Sequence, residues 1–91
     1  MNNKMVSFLM DGILDHLLSL ENGKHTAPWG QVLVSLAEAV VGYNVSVGDP
    51  EYHFTSRAVI LLEEMEMVTV ERAYDRRKGR ANTLISVTLN Q

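Results

Sequence analysis

The fold is decided by residues 49–71, DPEYHFTSRAVILLEEMEMVTVE, in which the spacing of the apolar residues changes once. Up to Met65 apolar side chains recur at intervals of three and four, which is the period of one face of an α-helix. From Met67 onward they alternate with polar residues, which is typical of a β-strand. An aspartate, a proline and a glutamate at residues 49–51 mark a helix start, because they suit the cap, the first position and the first turn. We therefore expect a helix over residues 49–65 that leads directly into a strand.

Two further helices are predicted before this stretch. Residues 5–20 carry a stripe with helical spacing, made of Val6, Leu9, Ile13, Leu17 and Leu20. Pro28 is interpreted as the first turn of a second helix that runs to residue 41, since proline is tolerated where its missing N–H would have no partner. Residues 42–48 follow and fit either a loop or a short strand.

The third helix has an expected core face and an expected outward face. The core face consists of Phe54, Ala58, Leu61, Leu62 and Met65. The outward face consists of Tyr52, His53, Ser56, Arg57 and Ile60.

A second alternating run, with Ile85, Val87 and Leu89 as its apolar members, predicts the partner of the strand that begins near Met67. The polar, glycine-containing residues 74–82 between the runs form a connection longer than a tight turn. Because 91 residues suit one compact unit, we expect a single domain over residues 1–91. The predicted class is α+β, with three helices followed by a two-stranded β-hairpin.

Composition excludes several kinds of function. The chain has no cysteine, so it has no disulfides, thiol chemistry or cysteine-containing zinc site. His16, His25 and His53 are far apart and lack metal-ligand spacing, so we interpret each as a surface or capping residue and expect no metal or cofactor. No nucleophile elbow or carboxylate pair indicates catalysis, so an enzyme is not expected. With no signal-peptide pattern and no apolar run of membrane-spanning length, the sequence predicts a soluble cytoplasmic protein.

Charge is distributed unevenly along the chain. The formal net charge is -3, but residues 1–71 carry -7 and residues 72–91 carry +4. The bases of the second part belong to the predicted hairpin. Arginines clustered on an extended loop can neutralise phosphates or enter a minor groove, so the loop is a candidate nucleic-acid contact.

Helix, helix, helix, hairpin is the order of a winged helix-turn-helix, whose third helix enters the major groove of DNA. Residues 56–72 are similar to the recognition helix and first wing strand of MarR-type regulators, and residues 75–77 with 84–89 resemble their wing. The motifs cover about the last third of the chain, and the first two helices agree by pattern only. Glu66 stands where that family usually has glycine. The resemblance implies a homodimeric transcriptional regulator that binds a pseudo-palindromic site in double-stranded DNA.

The expected DNA contacts lie on the third helix and on the loop of the hairpin. Arg57 could grip the O6 and N7 atoms of guanine, with other donors on the same helix turn. The candidate DNA-binding residues are Tyr52, Ser56, Arg57, Arg76, Arg77, Lys78 and Arg80. A homodimer through Met10, Leu14 and Leu18 of the first helix would supply two half-sites, since these residues widen its apolar arc. The alternative is a winged helix that binds a protein partner and not DNA, in which the acidic body is the functional surface.

Overall fold

The computed structural model describes residues 3–28, 31–73 and 84–90, and it confirms an α+β fold. Three helices and one antiparallel sheet make up this described part. The elements in chain order are α1 (Asn3–Ser19), β1 (Lys24–Pro28), α2 (Val32–Val41), α3 (Pro50–Glu64), β2 (Val68–Ala73) and β3 (Leu84–Leu89).

The sheet has three strands and not the predicted two. Its order is β1-β3-β2, so β3 lies in the centre and both neighbours pair with it antiparallel. Val87 of β3 lies opposite His25 of β1 on one side and opposite Val70 of β2 on the other. The predicted pairing of β2 with β3 is confirmed, and β1 is the strand that the pattern did not reveal.

The predicted start of the second helix is wrong, because Pro28 ends strand β1 and helix α2 begins at Val32. Proline is tolerated in β1 because that strand forms one edge of the sheet, where a missing N–H breaks no ladder between two neighbours. Residues 42–48 form a loop. In this loop Val45 is buried, and its N–H donates to Glu38 Oε2 over 2.8 Å.

Helix α1 supplies the centre of the core. Val6, Leu9, Ile13 and Leu17 are buried, which confirms four of the five residues of the predicted stripe. The fifth, Leu20, lies beyond the end of α1 at Ser19 and is half-buried. Burying an aliphatic side chain of this size contributes roughly 1.5–3 kcal/mol, so this face holds α1 against the rest of the domain. Gly12 lies against the side chain of Val40 and lets α1 and α2 approach closely.

Helix α3 occupies almost the predicted residues but is rotated relative to its predicted core face. Its buried residues are Thr55, Ala58, Val59 and Leu62. Phe54 and Leu61 pack only partly against the core. Met65 was expected in the core but is 58% exposed, because the helix ends at Glu64 and the chain turns there toward β2. The rotation leaves Tyr52 and Ser56 half-buried, with His53, Arg57 and Ile60 exposed.

No helix in the three described ranges is both long and apolar enough to cross a membrane.

Candidate nucleic-acid interface

The outward face of the first two turns of α3 collects hydrogen-bonding side chains of several kinds. Tyr52 and Ser56 are one helical turn apart, as are His53 and Arg57, so the four groups share one surface. The Tyr52 and His53 rings meet almost at a right angle, with centroids 5.6 Å apart. The structure therefore brings together Tyr52, Ser56 and Arg57, the three helix residues expected to contact DNA.

A groove of about 570 Å³ lies between the Tyr52 and Ser56 side of α3 and the sheet. Tyr52 and Ser56 line it from the helix, and Arg72 lines it from β2. The remaining lining residues are Val32, Leu33, Val47, Val59, Ile60, Glu63, Val70, Ile85 and Val87. Arg72 was counted in the basic segment but was not predicted as a site residue. The only indication in the sequence was that Arg72 is the first basic residue of the positively charged segment 72–91.

The end of β2 lies beside the same groove. Ala73 and Leu84 are paired across the sheet at the point where β2 ends and β3 begins. Arg72 precedes this pair by one residue and lies in the groove with Tyr52 and Ser56. Residues 74–83 connect β2 and β3 at this end of the sheet. The predicted contacts Arg76, Arg77, Lys78 and Arg80 lie outside the described residues.

Acidic groups of α3 lie mainly at its two ends. Glu63 and Glu64 are exposed in the last turn, and Glu63 lines the same groove as Tyr52 and Ser56. Glu51, in the first turn, accepts a hydrogen bond from the Tyr43 hydroxyl over 2.6 Å. That hydrogen bond raises the pKa of Tyr43 above its ordinary value. The Glu51 carboxylate is thus held by the loop before α3 and keeps its negative charge.

The proposed dimer residues differ in exposure. Met10 and Leu14 pack partly against the core, whereas Leu18 is 66% exposed. Phe8, which is not among the predicted dimer residues, is 54% exposed on the same helix. The dimer through α1 stays a prediction. Phe8 and Leu18 are the most exposed large apolar side chains of α1.

Two histidines that were expected to be separate form a pair. His16 Nε2 and His25 Nδ1 lie 3.1 Å apart in a hydrogen bond, and the ring centroids are 5.2 Å apart. The turn between α1 and β1 reverses the chain and brings the two residues together, which their spacing of nine did not suggest. Partial burial, together with the charge of His16, lowers the pKa of His25 below its ordinary value. In the described ranges, no group of three or more His, Cys, Asp or Glu residues is placed to hold a metal ion.

Comparison of the chain with protein-family models, with curated proteins and with solved structures finds no match.

Proposed function

We propose that this protein is a small winged helix-turn-helix transcriptional regulator that binds double-stranded DNA, with α3 in the major groove and the β2–β3 connection as its wing. One observation carries the proposal. Tyr52 and Ser56 of α3 line one groove together with Arg72 of β2, the residue before the last pair of the sheet, Ala73 with Leu84.

The first half of α3 has the side chains that reading base edges requires. The major groove is about 12 Å wide and admits one helix, whose N-terminal residues usually contact the bases. Tyr52, Ser56 and Arg57 lie on that part of α3, where Arg57 is exposed and the other two are half-buried. A guanidinium can bind guanine with two parallel hydrogen bonds, so Arg57 is the proposed base-reading residue.

The wing supplies most of the attraction to phosphate. Arg76, Arg77, Lys78 and Arg80 lie between β2 and β3, while the body of the chain is acidic. Phosphate contacts position a protein on DNA without reading sequence, and Arg72 adds a base beside the helix. We assign positioning to the wing and discrimination to α3. A homodimer through Met10, Leu14 and Leu18 would place two such modules on a pseudo-palindromic site.

Fluorescence anisotropy with mixed duplex DNA over a range of salt concentrations tests the proposal. The logarithm of affinity should fall with the logarithm of salt concentration by about 0.9 for each phosphate neutralised. The double variant Arg76→Ala/Arg77→Ala should reduce that slope by about 1.8 if each arginine neutralises one phosphate.

The matched control is Lys4→Ala/Lys24→Ala, which also removes two positive charges. Lys24 pairs with Thr88, at the end of the sheet opposite Ala73 and Leu84, and Lys4 lies in the first turn of α1. The control should keep the wild-type slope. Equal slopes for both double variants would exclude the wing as the phosphate contact.

The groove also favours a second candidate, a module that binds a protein partner. Ile60 and Val47 line it and are 51% and 56% exposed, and Arg57 is the one Lys or Arg of α3. Such a module should not bind duplex DNA even at low ionic strength, so the same titration separates the two candidates.

A further inference from the structure

A pair of histidines joins the end of α1 to β1, on elements that the proposed DNA contacts do not use. We propose that His16 and His25 together bind one divalent transition-metal ion of the kind that prefers imidazole, such as Zn²⁺ or Cu²⁺. The ion would bridge the last turn of α1 and the inner face of β1, with water as its remaining ligands.

The separation of the two nitrogens fits a shared ion. Imidazole nitrogen binds Zn²⁺ at about 2.0–2.1 Å, so two such nitrogens on one ion are about 2.9 Å apart at a right angle and about 3.4 Å apart in a tetrahedron. His16 Nε2 and His25 Nδ1 are 3.1 Å apart, within that range. An ion beside the line between them would replace their hydrogen bond. The neutral ring that donates in that bond changes tautomer, because its proton moves through solvent to its other nitrogen. Each ring then binds the ion through the nitrogen at the contact and carries its one proton on the other nitrogen.

The backbone holds both ligands in place before any ion binds. His16 lies in the last turn of α1, and His25 is half-buried between the exposed residues Lys24 and Thr26 of β1. Gly23, which has a φ of +61°, allows the turn that connects the two elements. Leu89 N–H donates to Gly23 carbonyl oxygen over 2.7 Å and fixes this turn to β3. Little conformational freedom of the main chain therefore remains to be lost on binding.

The local electrostatics favour a cation of this class. The C-terminal end of a helix carries partial negative charge on its last carbonyl groups, and His16 lies there in α1. Imidazole ligands select Zn²⁺, Cu²⁺ and Ni²⁺, whereas Mg²⁺ and Ca²⁺ require several oxygen ligands. Mg²⁺ carries the same charge as Zn²⁺ but should not bind two imidazoles, so it serves as the negative control.

Thermal unfolding of the full chain with ZnCl₂ or CuCl₂ tests the site. An ion that binds only the folded chain should raise the melting midpoint by about 5 °C or more at tenfold excess over its dissociation constant, and MgCl₂ should not. His16→Gln and His25→Gln should each abolish the rise, since glutamine preserves a hydrogen-bonding group but not an imidazole ligand. His53→Gln should retain it, because that ring contacts Tyr52 on α3.

Electron paramagnetic resonance of the wild-type protein with one equivalent of Cu²⁺ gives a readout that needs no variant. Two imidazole nitrogens on the ion are expected. A spectrum with one nitrogen or none, or an equal midpoint rise in wild type and both pair variants, would overturn the proposal. Absence of any midpoint shift in wild type at millimolar Zn²⁺ and Cu²⁺ would also overturn it.

Discussion

Asn90 holds the turn between α3 and β2, since its side-chain amide donates to the Glu66 carbonyl oxygen over 2.8 Å. The Asn90 N–H donates to the Met67 carbonyl oxygen over 2.9 Å, and the Thr69 hydroxyl donates to Asn90 Oδ1 over 2.7 Å. The end of β3 thereby fixes the turn that follows α3. The turn itself closes the helix, because Met67 N–H donates to Leu62 carbonyl oxygen, the bond of a Schellman cap.

Replacing Glu66 by glycine should stabilise the protein. Glu66 has a φ of +61°, the only positive φ of a non-glycine residue in the described part of the chain. Glycine adopts this left-handed conformation without the crowding of a Cβ atom. We expect Glu66→Gly to raise the free energy of unfolding by up to about 1 kcal/mol, and the melting midpoint by about 4–8 °C for each kcal/mol. Urea and thermal denaturation measure both.

Glu64→Gly is the control for that substitution. Glu64 is also exposed, but it is the last residue of α3, where glycine lowers helix stability by up to about 1 kcal/mol. The two variants should therefore change stability in opposite directions. Destabilisation by both would show that the Glu66 side chain contributes more than its backbone strain costs.

Gly12→Ala should destabilise the crossing of α1 and α2. A Cβ atom at Gly12 would clash with the Val40 side chain, which is branched at Cβ and has few alternative rotamers in a helix. Overpacking costs about 1–3 kcal/mol, and the better helix propensity of alanine offsets about 1 kcal/mol of that. The double variant Gly12→Ala/Val40→Ala should recover at least half of the loss, as measured in a double-mutant cycle. If the free-energy losses of the two single variants simply add in the double variant, Gly12→Ala does not act through a clash with Val40.

Much of the architecture could be predicted from local pattern, and the failures share a physical cause. The helices were found because periodic apolar stripes are local features. Strand β1 was missed because its inward residues, His25 and Ala27, are not strongly apolar, and its strand state depends on pairing with β3 about 60 residues away. Pro28 gave no means of distinguishing the two structures, because proline is tolerated both in the first turn of a helix and in an edge strand.

The candidate site was predictable only in part for the same reason. The exposed position of Arg57 follows from helical spacing, whereas Ser56 is half-buried because α3 is rotated relative to its predicted core face. The contribution of Arg72 depends on how β2 packs beside α3, and the meeting of His16 with His25 depends on the turn at Gly23. Contacts between separate elements are set by packing, which a one-dimensional pattern does not contain.

Thr55→Val should stabilise α3 in the core. Thr55 is fully buried, and its hydroxyl has no hydrogen-bond partner among the described residues. A buried hydroxyl without a partner costs about 1–3 kcal/mol, and valine has nearly the same shape without that group. We expect a gain of roughly 1 kcal/mol in urea denaturation. Thr55→Ala should instead lose stability, because it also removes a methyl group from the core.

The His25 ring should make stability depend on pH. Its pKa in the folded protein is lowered from 6.5, chiefly by burial and then by His16. The unfolded chain therefore binds the proton more tightly, and stability that is fully present above pH 6.5 is lost as the pH falls toward the lower folded pKa. Urea denaturation in EDTA between about pH 7.5 and 5.5 measures this loss.

His25→Gln should flatten the same profile, whereas His53→Gln should leave it unchanged. His53 lies on α3 against Tyr52, apart from the α1–β1 pair. An unaltered slope in His25→Gln would assign the pH dependence to another group.

Arg57 should determine which DNA sequence is preferred. Its guanidinium lies on the outward face of α3, and a bidentate contact to guanine discriminates against other bases by about 1–3 kcal/mol. Arg57→Ala should therefore weaken binding to the preferred duplex by roughly 10- to 100-fold, with a smaller change for other duplexes. Anisotropy titrations against duplexes that differ at single base pairs give the comparison.

Arg57→Lys separates charge from geometry at that position. Lysine keeps the positive charge but loses the planar fork, so the salt slope should stay near wild type while discrimination between duplexes falls. If Arg57 contacts only phosphate, Arg57→Lys should bind every duplex almost as wild type does, and Arg57→Ala should weaken all duplexes equally. The pair of variants therefore decides whether α3 contacts the bases or only the DNA backbone.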